Sequence, residues 1–108
     1  MENSKNYPKL IQLNRSKGWR KPENTVYVGR PSKWGNLFEW DELLKGGTTK
    51  EQARKIVVQQ YEDWIHTTEE GRETIRNAKQ ELKGKNLACW CPVDGPCHGK
   101  ILLRIANE

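Results

Sequence analysis

Outside positions 89, 91 and 97 this chain of 108 residues has no cysteine, and nowhere does it have a run of 18 or more apolar residues. The second lack excludes a membrane-spanning helix. The first makes a disulfide framework a poor reading, because an odd number of thiols sits within nine residues. Met1 to Lys5 leads into no apolar stretch of the kind an export signal needs. A reducing cytoplasm is therefore the expected setting, and the thiols are expected to serve metal binding, thiol chemistry or packing. Internal repeats and low-complexity tracts are lacking as well.

Apolar residues are scarce, at 34% against 31% charged. The length fits one domain, residues 1–108, with 1–7 expected to be flexible. A domain of this size buries roughly 70% or less of the surface its unfolded chain exposes. Five tryptophans and several periodic apolar segments still argue against disorder. Acidic charge is nearly missing from the first third. Residues 1–36 hold eight Lys and Arg against two Glu, whereas residues 37–108 hold eleven against twelve acidic residues. Such an excess raises the local concentration of phosphate-bearing partners, and it is equally the mark of a solvated loop.

Lys9 to Asn14 and Thr25 to Val28 read as strands, the second richer in β-branched and aromatic residues. Arg15 to Asn24 reads as a loop. Thr49 with Gln52 has capping-box form. Ala53, Ile56, Val57, Tyr61, Trp64 and Ile65 then recur at helical spacing, which predicts a helix over about 50–66. A second helix is expected over about 69–82, ended near Gly84. Asn86 to Trp90 reads as a third strand, Cys91 to Pro96 as a turn, and Cys97 or His98 opens the last helix. The order predicts a small α/β domain: a short, partly parallel three-stranded sheet with a helical crossover, a Rossmann-like βαβ unit. In that geometry the loops after the second and third strands open on the carboxyl edge of the sheet, where ligands of open α/β sheets bind.

Those two loops carry the unusual chemistry. Gly29 to Asn36 offers Arg30 for a two-pronged hold on phosphate or carboxylate, Lys33 as a point charge, Ser32 and Asn36 as polar donors, and Trp34 to stack or wall a pocket. Gly29 and Gly35 are expected to allow close approach and positive φ. The loop matches neither common glycine-rich phosphate motif, and a plain structural turn with Trp34 in the core fits it too. Cys89 to Gly99 allows three readings. Cys89, Cys91, Cys97 and His98 could hold zinc as a Cys₃His set, although adjacent ligands at 97 and 98 strain a tetrahedron. Cys97 or Cys91 could be a reactive thiol, with His98 as acid or base. Or the cysteines are packing residues, the favoured reading for Cys89. Gly99 is expected to keep the helix start open, so that its N–H groups can meet an anion.

Val26 to Asn36 with Phe38 resembles the first signature of a small bacterial and phage family catalogued as domain of unknown function 4326, and Leu87 to Pro92 with Pro96 to Gly99 resembles its second. The resemblance covers about residues 8–107. It implies a compact α/β domain and a bacterial or phage-infected cell, and it brings no established activity. Leu37 stands where relatives usually have Pro, and Lys100 where they usually have Asp after Cys-His-Gly. The turn from Cys91 to Cys97 is longer than is usual there. If that Asp is an acid or base in the family, Lys100 removes the group here.

The expected function is binding of a nucleotide or nucleic-acid phosphate by Arg30, Ser32, Lys33, Trp34, Asn36 and Gly99. Hydrolysis or group transfer on a nucleotide or nucleoside would fall to His98, Cys97 and Cys91. No cofactor is expected other than the zinc that the cysteines allow. Two alternatives are a nucleic-acid-binding accessory protein without catalysis and a structural zinc module that contacts another protein.

Overall fold

The computed structural model describes residues 8–91 and 95–108. The expected flexible stretch 1–7 and residues 92–94 of the expected turn lie outside the described residues. Seven elements follow in order: β1 (Leu10–Gln12), β2 (Thr25–Tyr27), α1 (Asp41–Lys45), α2 (Lys50–Thr67), α3 (Glu69–Glu81), β3 (Asn86–Cys89) and α4 (His98–Ala106). The chain is a small α/β domain, as the patterning predicts. No helix among the described residues is long and apolar enough to cross a membrane.

The sheet runs β1-β3-β2, and both pairings are parallel. Leu87 lies opposite Leu10 on one side and Val26 on the other. The ladder continues past β2 and β1 through Val28 N–H to the Ala88 carbonyl and Leu13 N–H to the Cys89 carbonyl. Central position explains the composition of β3. Its Leu87, Ala88 and Cys89 are all buried, so both faces must be apolar, whereas β1 and β2 are only half-buried.

The helices form where caps and apolar spacing agree. The Thr49 hydroxyl accepts from Gln52 N–H at 3.2 Å and starts α2, whose buried face is Ala53, Val57, Tyr61 and Ile65. Thr68 ends α2 and caps α3: its hydroxyl donates to the Trp64 carbonyl and accepts from Gly71 N–H at 2.9 Å. The corner folds α3 back on α2. Helix α4 packs against α2, α3, β1 and β3 and contributes Ile101, Leu102 and Ile105 to a core shared with Val28, Tyr61, Ile65, Leu82 and Leu87. Helix α1 has no counterpart in the sequence reading, because five residues with no buried side chain leave no periodic signal.

Candidate ligand site

A cavity of about 330 Å³ opens at the carboxyl ends of β2 and β3, where the strand order places the two loops side by side. It draws on Gly29, Arg30 and Asn36 from the first loop, and on Cys89, Trp90, Cys91 and His98 from the second. Phe38 and Trp40 enter from the segment before α1, and Arg54, Val57 and Val58 from α2. The predicted meeting of the two loops is therefore present in the fold.

Within the first loop the expected ligand residues divide. Ser32 is engaged in the turn: its hydroxyl donates to the Gly29 carbonyl at 2.6 Å and accepts from Trp34 N–H at 3.2 Å. Lys33 reaches both carboxylate oxygens of Glu81 at 2.8 Å and ties the loop to α3. Trp34 is 4% exposed and belongs to the core. Its carbonyl accepts from Tyr61 Oη at 3.1 Å, and burial pushes that phenol's pKa up. None of these three side chains lines the cavity. Neither Gly29 nor Gly35 has positive φ; Gly29 is needed because Tyr27, whose hydroxyl donates to the Arg30 carbonyl, folds over it.

Arg30 and Asn36 do line the cavity. The Arg30 guanidinium is exposed and lies 3.6 Å from Glu39, a weak solvent-screened pair that leaves it available. Asn36 is 7% exposed; its amide donates to the Val57 carbonyl at 3.0 Å and its oxygen accepts from Phe38 N–H at 2.8 Å. It fixes the cavity floor to α2. Replacing Asn36 with Ala leaves the Phe38 N–H without its acceptor and is expected to lower unfolding free energy by about 2 kcal/mol. Urea titration would show this as an earlier midpoint at unchanged slope.

The second loop is held more tightly. His98 is 6% exposed, with Nε2 at 2.7 Å from the Val28 carbonyl and its ring edge-on to Tyr61 at 5.2 Å. A carbonyl only accepts, so Nε2 carries the proton and Nδ1 keeps the lone pair. Burial holds the imidazole below its ordinary pKa, and the nearby Arg30 charge adds to this; the Val28 bond and Cys91 act the other way. The ring is therefore a neutral base at the cavity wall. Gly99 is buried instead of facing the cavity. A Cβ there would come within 2.7 Å of Leu10 Cδ1, so the glycine serves the close packing of α4 on β1.

The sulfurs of Cys89, Cys91 and Cys97 all lie within 4.8 Å of one another, and those of Cys89 and Cys97 are 2.9 Å apart. Such a cluster can hold a metal ion. The three thiols share protons unevenly. Hydrogen bonding to the neighbouring Cys89 and Cys97 thiols draws the Cys91 pKa down, with a smaller push the same way from the Arg54 charge and an opposing one from burial. Hydrogen bonding to Cys91 pushes Cys89 up, and hydrogen bonding to Cys89 and Cys91 pushes Cys97 up. Of the three thiols, Cys91 is the one whose pKa is drawn down, and it lines the cavity.

Sequence reasoning missed Arg54, Phe38 and Trp40. Arg54 sits beside the buried Ala53 on α2, three and four residues before the cavity-lining Val57 and Val58. That spacing was the available signal. Its guanidinium lies 5.5 Å from the Trp40 ring centre. Trp90 is 44% exposed at the rim, with Arg15 stacked over it at 4.4 Å, so the β1–β2 loop reaches the mouth of the cavity.

Among known protein families, the chain matches a model described as Domain of unknown function (DUF4326), over residues 11–108. No curated protein and no solved structure matches the chain.

Proposed function

The chain belongs to the DUF4326 family, and from the geometry of its site we propose that it binds a nucleotide, free or at the end of a nucleic-acid strand, in the cavity at the carboxyl edge of the sheet. One observation carries the reading: two arginines, Arg30 and Arg54, share a cavity with Phe38, Trp40 and Trp90. Guanidinium groups suit phosphate, and aromatic rings suit a base. A volume of about 330 Å³ suits a mononucleotide-sized occupant. Cys91 as nucleophile and His98 as base would carry hydrolysis or group transfer on such a ligand.

The test is calorimetric titration with the four nucleoside monophosphates, the matching nucleosides, inorganic phosphate and a short single-stranded oligonucleotide. A monophosphate should bind at least about tenfold more tightly than its nucleoside, the value of one charge-assisted contact. Failure of every nucleotide and of the oligonucleotide would end the proposal. Turnover that disappears in His98→Ala while binding persists would make the protein an enzyme. Oligonucleotide binding that survives His98→Ala and falls steeply with salt would instead make it an accessory protein.

The thiol cluster favours a second reading, in which the cysteines hold zinc. Three sulfurs gathered from a strand end and a helix start are the donor set that zinc takes. The two readings compete at Cys91, which serves either as a nucleophile or as a ligand. Untagged protein purified without chelator should then contain about one zinc per chain. Its thiols should resist alkylation until a chelator is added. Metal-free protein with freely reacting thiols, or with a Cys89–Cys97 disulfide, refutes this second reading.

A further inference from the structure

A closed structural zinc site needs four protein ligands, and His98, next to Cys97, is the candidate for the fourth. The structure places it otherwise. Its Nε2–H bond to the Val28 carbonyl leaves Nδ1 with a lone pair, but the ring packs on Tyr61 and the residue stands outside the three-sulfur group. Among the described residues no other histidine, cysteine or carboxylate joins that group. Cys89 and Cys91 line the cavity, whereas Cys97 does not. Two of the three cysteines thus line the cavity, and Arg30 and Arg54 stand along it.

We propose that Cys89, Cys91 and Cys97 form an open metal centre, whose fourth coordination position is filled from the cavity by water or by a small anionic donor. The proposal rests on the zinc reading and adds to it that metal and ligand share one site. Zinc sites with three protein ligands and one exchangeable position are those at which a metal can act on a bound molecule. A tris-thiolate zinc unit carries one net negative charge. The two arginines offset that charge and let an anion approach. His98 lines the same cavity and stands outside the sulfur group, so it is available to a molecule held there, not spent on the metal.

The experiment uses the whole chain, stripped of metal under reducing conditions and loaded with Co²⁺, whose visible bands report tetrahedral sulfur coordination. Sulfur-to-cobalt charge transfer should appear on loading. Titration with azide should then shift the visible bands saturably, and the shift should weaken in Arg30→Ala/Arg54→Ala. The His98→Gln protein should give the wild-type cobalt spectrum. Bands that ignore azide at every concentration show a fourth protein ligand and overturn the open centre while the zinc reading stands. A spectrum changed by His98→Gln in a protein of native circular dichroism identifies that ligand as His98, and it too overturns the open centre alone. Absence of any sulfur-to-cobalt band removes the zinc reading and the open centre together. Should His98→Gln fail to fold, the azide titration of the wild-type chain decides alone.

Discussion

Gly71→Ala is expected to cost about 3 kcal/mol or more, the upper end for overpacking. The first turn of α3 lies directly on the last turns of α2. A Cβ at Gly71 would meet the Trp64 carbonyl oxygen, come within 2.5 Å of Ile65 Cα and within 2.8 Å of the Ile65 carbonyl carbon. All three are backbone atoms, so no rotamer change relieves the clash. The corner would have to open, and with it the two bonds of the Thr68 hydroxyl. Domains are stable by only about 5–15 kcal/mol. Thermal denaturation should therefore move down by roughly 10–20 °C. Glu70→Ala, on the exposed side of the same turn, should move it by no more than a few degrees. A shift of that small size for Gly71→Ala would show that the corner yields freely.

The largest functional effect is expected from Arg30→Ala combined with Arg54→Ala. Each arginine lines the cavity from a different element, one from the loop after β2 and one from α2. Their only described charged or aromatic partners are Glu39, at 3.6 Å in solvent, and the Trp40 ring. Removing them should leave the fold intact, because surface contacts of this kind contribute about 1 kcal/mol or less. Charge-assisted hydrogen bonds to a phosphate are worth about 1.5–3 kcal/mol each. Affinity for a nucleoside monophosphate should then fall about 100-fold or more, with affinity for the bare nucleoside almost unchanged. Equal loss for nucleotide and nucleoside would place the phosphate elsewhere. Lys33→Ala is the informative control. Lys33 is tied to Glu81 and does not line the cavity, so nucleotide affinity should stay within about twofold while stability drops by about 1 kcal/mol or less.

How much of this was legible in the chain depended on the length scale of each signal. Helices α2 and α4 announce themselves, because a cap and four or more periodic apolar residues coincide in α2 and an apolar face recurs through α4. The meeting of the two loops followed from the parallel crossover alone. The strand order did not, although Leu87-Ala88-Cys89, apolar on both faces, has the composition of a central parallel strand. The ligand residues were only half visible. Arg30 and Asn36 stand where motif reading put them, but Ser32, Lys33 and Trp34 have identical credentials in sequence. They are distinguished only by partners 2 to 48 positions away. Arg54 has the converse problem, as one more cation on a polar helix until the sheet edge is laid against it. The nearness of the three thiols likewise depends on how α4 packs against β3, which the spacing of positions 89, 91 and 97 does not reveal.

The central place of β3 also governs the order in which the molecule can assemble. Among the described residues β1 and β2 do not pair with each other; each pairs with β3, the last of the three strands. The bonds that anchor the sheet span 77 positions from Lys9 to Asn86 and 60 from Asn24 to Gly84. A chain emerging from the N-terminus therefore carries two strands without partners until residues 86–89 arrive. Before then the α2–α3 hairpin, with α1 beside it, is what local contacts can form. Long-range closure of this kind slows folding. Loss of the final quarter of the sequence takes away the whole sheet at once, and not one element of it. The exposed strand edges of such a fragment would make it a target for aggregation or proteolysis.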